Sequence, residues 1–301
     1  MTSFELNRLS KEVGSLSRTP NSAKYHITTC QPKINRIKTS LGWIEIIGML
    51  KKVMERDIDI QKSQILKAKL KEATGDIIVK IGDNASIKQE YEMASKLSRL
   101  KGFVKFICFF ECEDDFREHF GQTSRTTICK GEGTSMKVIL MPYFKLGSMA
   151  QFSWNASNLH LLKSCIKHAC LSIIIAFNEK NIIHGDFHPA NVVLKDTKQS
   201  VIEYHSLNLK IPTNKIRTWI MDFENTREYQ SDQSNDAYRA LGDFYYDLQK
   251  FFMMLASFVP IDRNRMASIT KTINAFNIDM KRIGPIEAAQ LCALIDEYIQ
   301  L

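Results

Sequence analysis

What most constrains the fold of this chain is a change of hydrophobic period near Met141. Before it, short apolar runs end in turn residues: Asp76 to Ile81 reads Asp-Ile-Ile-Val-Lys-Ile ahead of Gly82-Asp83-Asn84, and Val138-Ile139-Leu140-Met141 stops at Pro142. Runs of this length and composition are strand signals. After it, Leu159, Leu162, Ile166, Ala169, Ile173 and Phe177 recur at spacings of three and four, which is the period of one helix face. A strand-rich first part followed by a helix-rich second part is an α+β layout. The expectation is two lobes, a small β-rich one over residues 39–141 and a larger helical one over 142–301, joined near Met141 to Gly147. Residues 1–38 are polar and aperiodic and are expected to form an N-terminal arm.

The strand at Asp76 to Ile81 carries one lysine, Lys80, and a helix is expected directly after it over Ser86 to Leu100. Its apolar stripe is Ile87, Tyr91, Ala94 and Leu97; Glu90 falls inside that stripe, whereas Glu92 is turned away from it. A carboxylate on a core-facing stripe is costly unless a cation meets it, and Lys80 is the candidate. Phe103 to Glu111 and Met136 to Met141 read as further strands, and Tyr143 to Ser148 as a connector.

Past the long helical stripe, the segment His184-Gly185-Asp186-Phe187-His188-Pro189-Ala190-Asn191 runs into the apolar Val192-Val193-Leu194. A loop between a helix and a strand places an acid and an amide near one point. Further on, the strand end Trp219-Ile220-Met221 delivers a second acid, Asp222, followed by Phe223-Glu224. Phosphoryl transfer asks the protein for little covalent chemistry: a carboxylate beside the attacking hydroxyl and oxygen ligands for magnesium. Asp186 suits the first role; Asn191 and Asp222 suit the second.

The run HGDFHPANVVL resembles the catalytic loop of the protein-kinase-like superfamily, and within it the atypical branch of aminoglycoside, choline and related small-molecule kinases. Gly242-Asp243-Phe244-Tyr245-Tyr246-Asp247-Leu248 is similar to the GDxxYDL segment of the same branch, and kinase-like proteins of large DNA viruses combine such features. The resemblance covers about residues 76–255. It implies a protein-kinase-like fold and an ATP-dependent kinase with Mg²⁺, in which Asp186 is the catalytic base, Asn191 and Asp222 hold the metal, Lys80 contacts phosphate and Glu90 is its ion-pair partner. The expected catalytic set is Asp186, Asn191 and Lys80, and the expected nucleotide-contacting set is Lys80, Glu90, Met141 and Tyr143. Asp247 would be a buried helix acid bonded to the loop backbone, with Asp243 as the fallback.

The match has gaps. Gly42, Gly48 and Gly75 make no glycine-rich loop ahead of Lys80, Gly131-Glu132-Gly133 lies beyond it, and Asp-Phe-Glu stands where protein kinases carry Asp-Phe-Gly. Only about twenty residues separate Asp222 from Asp243, which leaves little platform for docking a peptide. The stretch Lys195 to Arg217 exceeds the family norm and is expected to form a hairpin with an extra loop. A kinase-like fold used only as a binding or scaffolding module, a pseudokinase, is the alternative reading.

Composition narrows the partners. The formal charge of +8 is spread along the 301 residues without a dominant basic run; it suits phosphate ligands or an acidic protein partner equally, and direct nucleic-acid binding is not expected. No stretch approaches ~20 uninterrupted apolar residues, and no membrane partner is expected. Seven scattered cysteines give neither paired nor metal spacing; they read as reduced thiols of an intracellular, cytoplasmic protein. His184 and His188 flank Asp186 but are expected to brace the loop backbone rather than bind zinc. The expected partners are ATP and a hydroxyl acceptor, either protein or small molecule.

Overall fold

The structure, a computed structural model, describes residues 36–39, 42–52, 64–70, 76–82, 85–111, 137–230, 234–259, 261–274 and 283–300. They fall into two compact units. One takes in the residues up to Glu92 together with Lys105–Tyr143, the other Met93–Val104 together with Phe144 onward.

The first unit is built on a six-stranded antiparallel sheet. Its strands are β1 (Arg36–Thr39), β2 (Gly42–Lys52), β3 (Gln64–Leu70), β4 (Asp76–Gly82), β5 (Cys108–Glu111) and β6 (Lys137–Pro142), in the order β1-β2-β3-β4-β6-β5. The continuous apolar run of β4 is explained by its place inside the sheet, where β3 and β6 flank it and Ile77, Ile78 and Val79 are buried; a strand covered on both faces need not alternate. β6 ends at Pro142, which has no N–H for the ladder, and Tyr143 N–H donates to Asp76 O at 3.3 Å. Gly48 of β2 sits at a register shift against β3, a common use for glycine within a strand. Of the segment expected as an arm, Arg36 to Lys38 belong to β1 and the rest lies outside the described residues, as do Gly75, Gly131 and Gly133.

Helix α1 (Ala85–Leu97) follows β4. Of the stripe, Ile87, Ala94 and Leu97 are buried together with Glu90, Tyr91 is half-buried, and Glu92 is exposed. The helix stops at Leu97, three residues short of the expected end, and residues 98–100 form a turn. A second difference concerns Phe103 to Glu111, of which only Cys108–Glu111 is strand. Around Phe103 the backbone bonds run to Ile220 instead, Val104 N–H donating to Ile220 O at 2.9 Å and Ile220 N–H to Gly102 O at 2.7 Å.

The second unit centres on α2 (Leu159–Lys180), whose interior residues from Cys165 to Phe177 are almost all buried. By length and composition Ala156–Lys180 could cross a membrane, but 72% of its most apolar window is buried inside the protein, as in a core helix. It ends at Asn181, which takes the left-handed conformation (φ 53°) and donates its N–H to Ala176 O, a standard helix stop. Then come β7 (Ile182–Ile183), β8 (Val192–Asp196), β9 (Val201–Tyr204), β10 (Leu209–Pro212), β11 (Ile216–Ile220) and β12 (Arg227–Glu228). α3 (Ser234–Phe258), α4 (Arg263–Asn274) and α5 (Pro285–Tyr298) close the chain.

β8 pairs antiparallel with β11, and the long connection between them folds into a second hairpin, β9–β10, as expected for Lys195 to Arg217. Polar contacts fasten this insert to α2. Ser164 donates to Pro212 O, the Tyr204 hydroxyl meets His168 Nδ1 at 2.9 Å, and His168 Nε2 donates to Pro212 O at 3.1 Å. Burial pulls the His168 imidazole down to about 4, so it packs as the neutral ring that this pattern demands. Cys165, Cys170 and Cys292 are buried free thiols.

Candidate active site

The loop from β7 to β8 is gripped from beneath by α3. Asp247 is fully buried and accepts hydrogen bonds from Gly185 N at 2.8 Å and Phe187 N at 3.2 Å, the role expected of it. Asp243, the fallback, pairs with Arg227 instead. One turn beyond Asp247, Phe251 stacks on Phe187 with centroids 4.5 Å apart and an interplanar angle of 8°. Both rings are fully buried, so the residue after Asp186 is a plug that fixes where Asp186 can be.

Gly185 makes this tight grip possible. Its φ is +79°, and a Cβ there would lie 2.3 Å from Asn225 O; a side chain would meet both backbone strain and a backbone clash.

The histidines brace the loop. Buried His184 donates from Nε2 to Met221 O at 3.0 Å and accepts the Asp186 N–H at Nδ1 at 3.3 Å. Burial holds its imidazole below the ordinary value in spite of the nearby carboxylates, consistent with one protonated and one accepting nitrogen. Burial likewise raises Asp247, against the pull of His184 and the two backbone N–H groups. His188 Nε2 is 3.5 Å from Asp186 Oδ2. Among the described residues no cluster of three or more His, Cys, Asp or Glu could hold a metal ion.

Asn191 turns its amide nitrogen onto Asp186, 3.0 Å from the Asp186 main-chain oxygen and 3.4 Å from its Oδ2, leaving the amide oxygen of Asn191 as the end that a cation could use. The backbone of the same residue meets the segment carrying the second acid, since Met221 N–H donates to Asn191 O at 3.0 Å. This contact continues the β8–β11 ladder one step past Val192 and Ile220. Asp222 then adopts φ +67°, a left-handed conformation that Asp tolerates better than most residues and that concentrates at functional sites. Phe223 is fully buried, 6.2 Å from Phe103 and 5.8 Å from His184 by ring centroids. Each acid is therefore followed by a buried phenyl ring that anchors its backbone.

Asp186 itself is about a quarter exposed, and Lys250 of α3 binds its Oδ1. Burial works against its ionised form, but hydrogen bonds and charges from His188 and Lys250 outweigh that and hold the carboxyl well below the usual carboxylate range.

In the first unit the expected ion pair is present. Lys80 Nζ lies 2.6 Å from Glu90 Oε2, with side-chain exposures of 6% and 1%. Met141 is buried in β6 opposite Ile78. The Tyr143 ring, just beyond that strand, carries the Lys67 ammonium 4.2 Å from its centroid.

Asp186, Asn191 and the backbone leading into Asp222 are thus brought together in one unit, and Lys80 and Glu90 in the other. Lys250 was not anticipated from sequence. The available signal was its spacing of three from Asp247 on a helix whose one face is committed to the loop.

No family model matches the chain, and no curated protein matches it by sequence. Among solved structures it is similar to the crystal structure of the BubR1 kinase domain, with 11% identity, 99% of each chain covered and a TM-score of 0.52. Likeness at that identity speaks for the fold, and the mixed helix and strand chain described above has a protein-kinase-like fold.

Proposed function

We propose that this chain is an ATP-dependent phosphotransferase that moves the γ-phosphoryl group of ATP to a hydroxyl of a protein Ser or Thr or of a small molecule. The observation that carries this reading is the loop held by Asp247, which sets the Asp186 carboxylate beside the Asn191 amide and ties the Asn191 backbone to Met221, next to Asp222. The acceptor oxygen bonds to the γ-phosphorus, the bond to the β,γ-bridging oxygen breaks, ADP leaves, and the acceptor proton passes to Asp186. Such a transition state is loose, so positioning and charge count for more than basicity.

The donor set fits Mg²⁺, which prefers carboxylate and carbonyl oxygens completed by phosphate oxygens and water: Asn191 would offer its amide oxygen and Asp222 its carboxylate. When bound, the ion neutralises charge on the phosphates. Lys80, oriented by Glu90, contacts phosphate, and Met141 and Tyr143 complete the nucleotide-contacting set.

The test is transfer of labelled γ-phosphate from Mg-ATP to casein, choline, ethanolamine, kanamycin and water by the wild type, Asp186→Ala and Asp222→Ala. Transfer by the wild type that is lost in both variants is the expected result, and the preferred acceptor chooses the substrate class. No transfer, together with no Mg²⁺-dependent ATP binding, refutes the reading and assigns the fold a binding or scaffolding role.

A further inference from the structure

α3 holds the loop through three side chains within five residues: Asp247 on the amides of Gly185 and Phe187, Lys250 on the Asp186 carboxylate, and Phe251 on the Phe187 ring. The first and last fix the backbone on either side of Asp186, and the middle one fixes the acid itself. Among the described residues nearer in the chain, only His188 approaches that carboxylate with a group able to carry positive charge. Phe187 is buried in the stack and His188 stands 3.5 Å from Oδ2.

The two carboxylate oxygens are consequently unequal. Oδ1 is occupied by the ammonium of Lys250. Oδ2 has long contacts, 3.4 Å to Asn191 Nδ2 and 3.5 Å to His188 Nε2, at the outer edge of hydrogen-bonding distance, and it has room to accept a stronger donor. A carboxylate held at one oxygen has lost the rotation that would let it present either oxygen, and fixed orientation of a reacting group is a large source of rate.

We propose that Lys250 is a positioning residue for phosphoryl transfer, clamping Oδ1 of Asp186 so that Oδ2 is the oxygen offered to the acceptor hydroxyl. The proposal rests on the phosphotransferase reading above. It takes no proton and makes no contact with the reacting atoms, so its whole effect passes through Asp186.

The experiment compares the wild type with Lys250→Met, Lys250→Arg, Asp186→Asn and the double variant Asp186→Asn/Lys250→Met. Transfer is measured from Mg-ATP to whichever of casein, choline, ethanolamine or kanamycin the wild type accepts, and to water. Binding of a fluorescent ATP analogue and the melting temperature are read alongside. In Lys250→Met, kcat is expected to fall roughly 10- to 100-fold, with nucleotide affinity within about twofold, as for loss of an orienting interaction. Lys250→Arg, which keeps a cation at the site, should recover to within about fivefold. The double variant should be no slower than Asp186→Asn alone, because a residue acting through another has no effect once that other is gone.

Lys250→Met with wild-type kcat overturns the proposal, as does a double variant that falls by the product of the single losses. A wild-type chain that transfers nothing overturns the phosphotransferase reading and this role with it. Wild-type transfer abolished by Asp186→Asn but untouched in Lys250→Met overturns the role of Lys250 alone.

Discussion

The Lys80–Glu90 pair lets stability and function be separated. At 6% and 1% side-chain exposure, both charges have given up most of their hydration, and removing one takes from the other the opposite charge that meets it at 2.6 Å. That costs ~3–5 kcal/mol, whereas replacing both with apolar residues of similar volume is often neutral or stabilising by ~1–4 kcal/mol. Lys80→Met should therefore destabilise the first unit by ~3–5 kcal/mol, and Lys80→Met/Glu90→Leu should return to near the wild-type value. Hydrogen exchange read on β4 and α1 peptides is the assay, because it reports the opening of this unit by itself. At ~1.4 kcal/mol per tenfold, the single variant should exchange about two to nearly four orders of magnitude faster. Phosphoryl transfer should be lost in both variants, since neither retains a cation at position 80. A double variant that is stable and still transfers phosphate would refute the phosphate-contacting role; a single variant as protected as the wild type would refute the burial argument.

Asp247→Ala should strand the buried amide of Phe187, worth ~1–3 kcal/mol, and release the part-buried amide of Gly185; calorimetry should show that loss of stability and the transfer assay a fall in kcat, while Asp247→Asn, which keeps one acceptor, should fall in between. Stability should also depend on His168, which burial pulls from 6.5 to about 4. The unfolded chain binds this proton below about pH 6.5 and the folded chain does not until about pH 4, so stability is present above that window and falls as pH drops through it, by up to ~3 kcal/mol. Urea midpoints from pH 4 to 7 should rise with pH in the wild type and flatten in His168→Gln; equal slopes in the two proteins would refute the assignment.

Several features were legible in the residues because they are local. The placement of Glu90 inside a helical stripe directly after the Lys80 strand was enough to anticipate a buried pair, since period and adjacency decide which side chains meet. The spacing of Asp186 and Asn191 within one loop was enough to bring acid and amide together, and Asp247 was expected from the resemblance of its segment to the GDxxYDL of small-molecule kinases. In β3, Leu66, Ala68 and Leu70 alternate with Lys67 and Lys69, a period-two strand pattern outside the strands expected above. Phe103 to Ile107 looked like strand because most of the residues are apolar, but Phe103 and Val104 meet Ile220 and only Ile107 N–H reaches β6, at Leu140 O, and propensity cannot say where a hydrogen bond goes.

By itself, then, the sequence determined the strands β4 and β6, the helices α1 and α2, the acid and amide of the loop, and the charged pair that the first unit had to neutralise, all of which follow from neighbours and periodicity. Tertiary structure decided what the acid faces. Lys250 reaches Asp186 across a separation of 64 residues, the Phe187–Phe251 stack spans a similar distance along the chain, and Asp222 takes its left-handed φ where Met221 meets Asn191. Those contacts depend on α3 docking beneath the loop and on β8 pairing with β11, and hydrophobic period does not encode which distant side chain will end beside a given carboxylate.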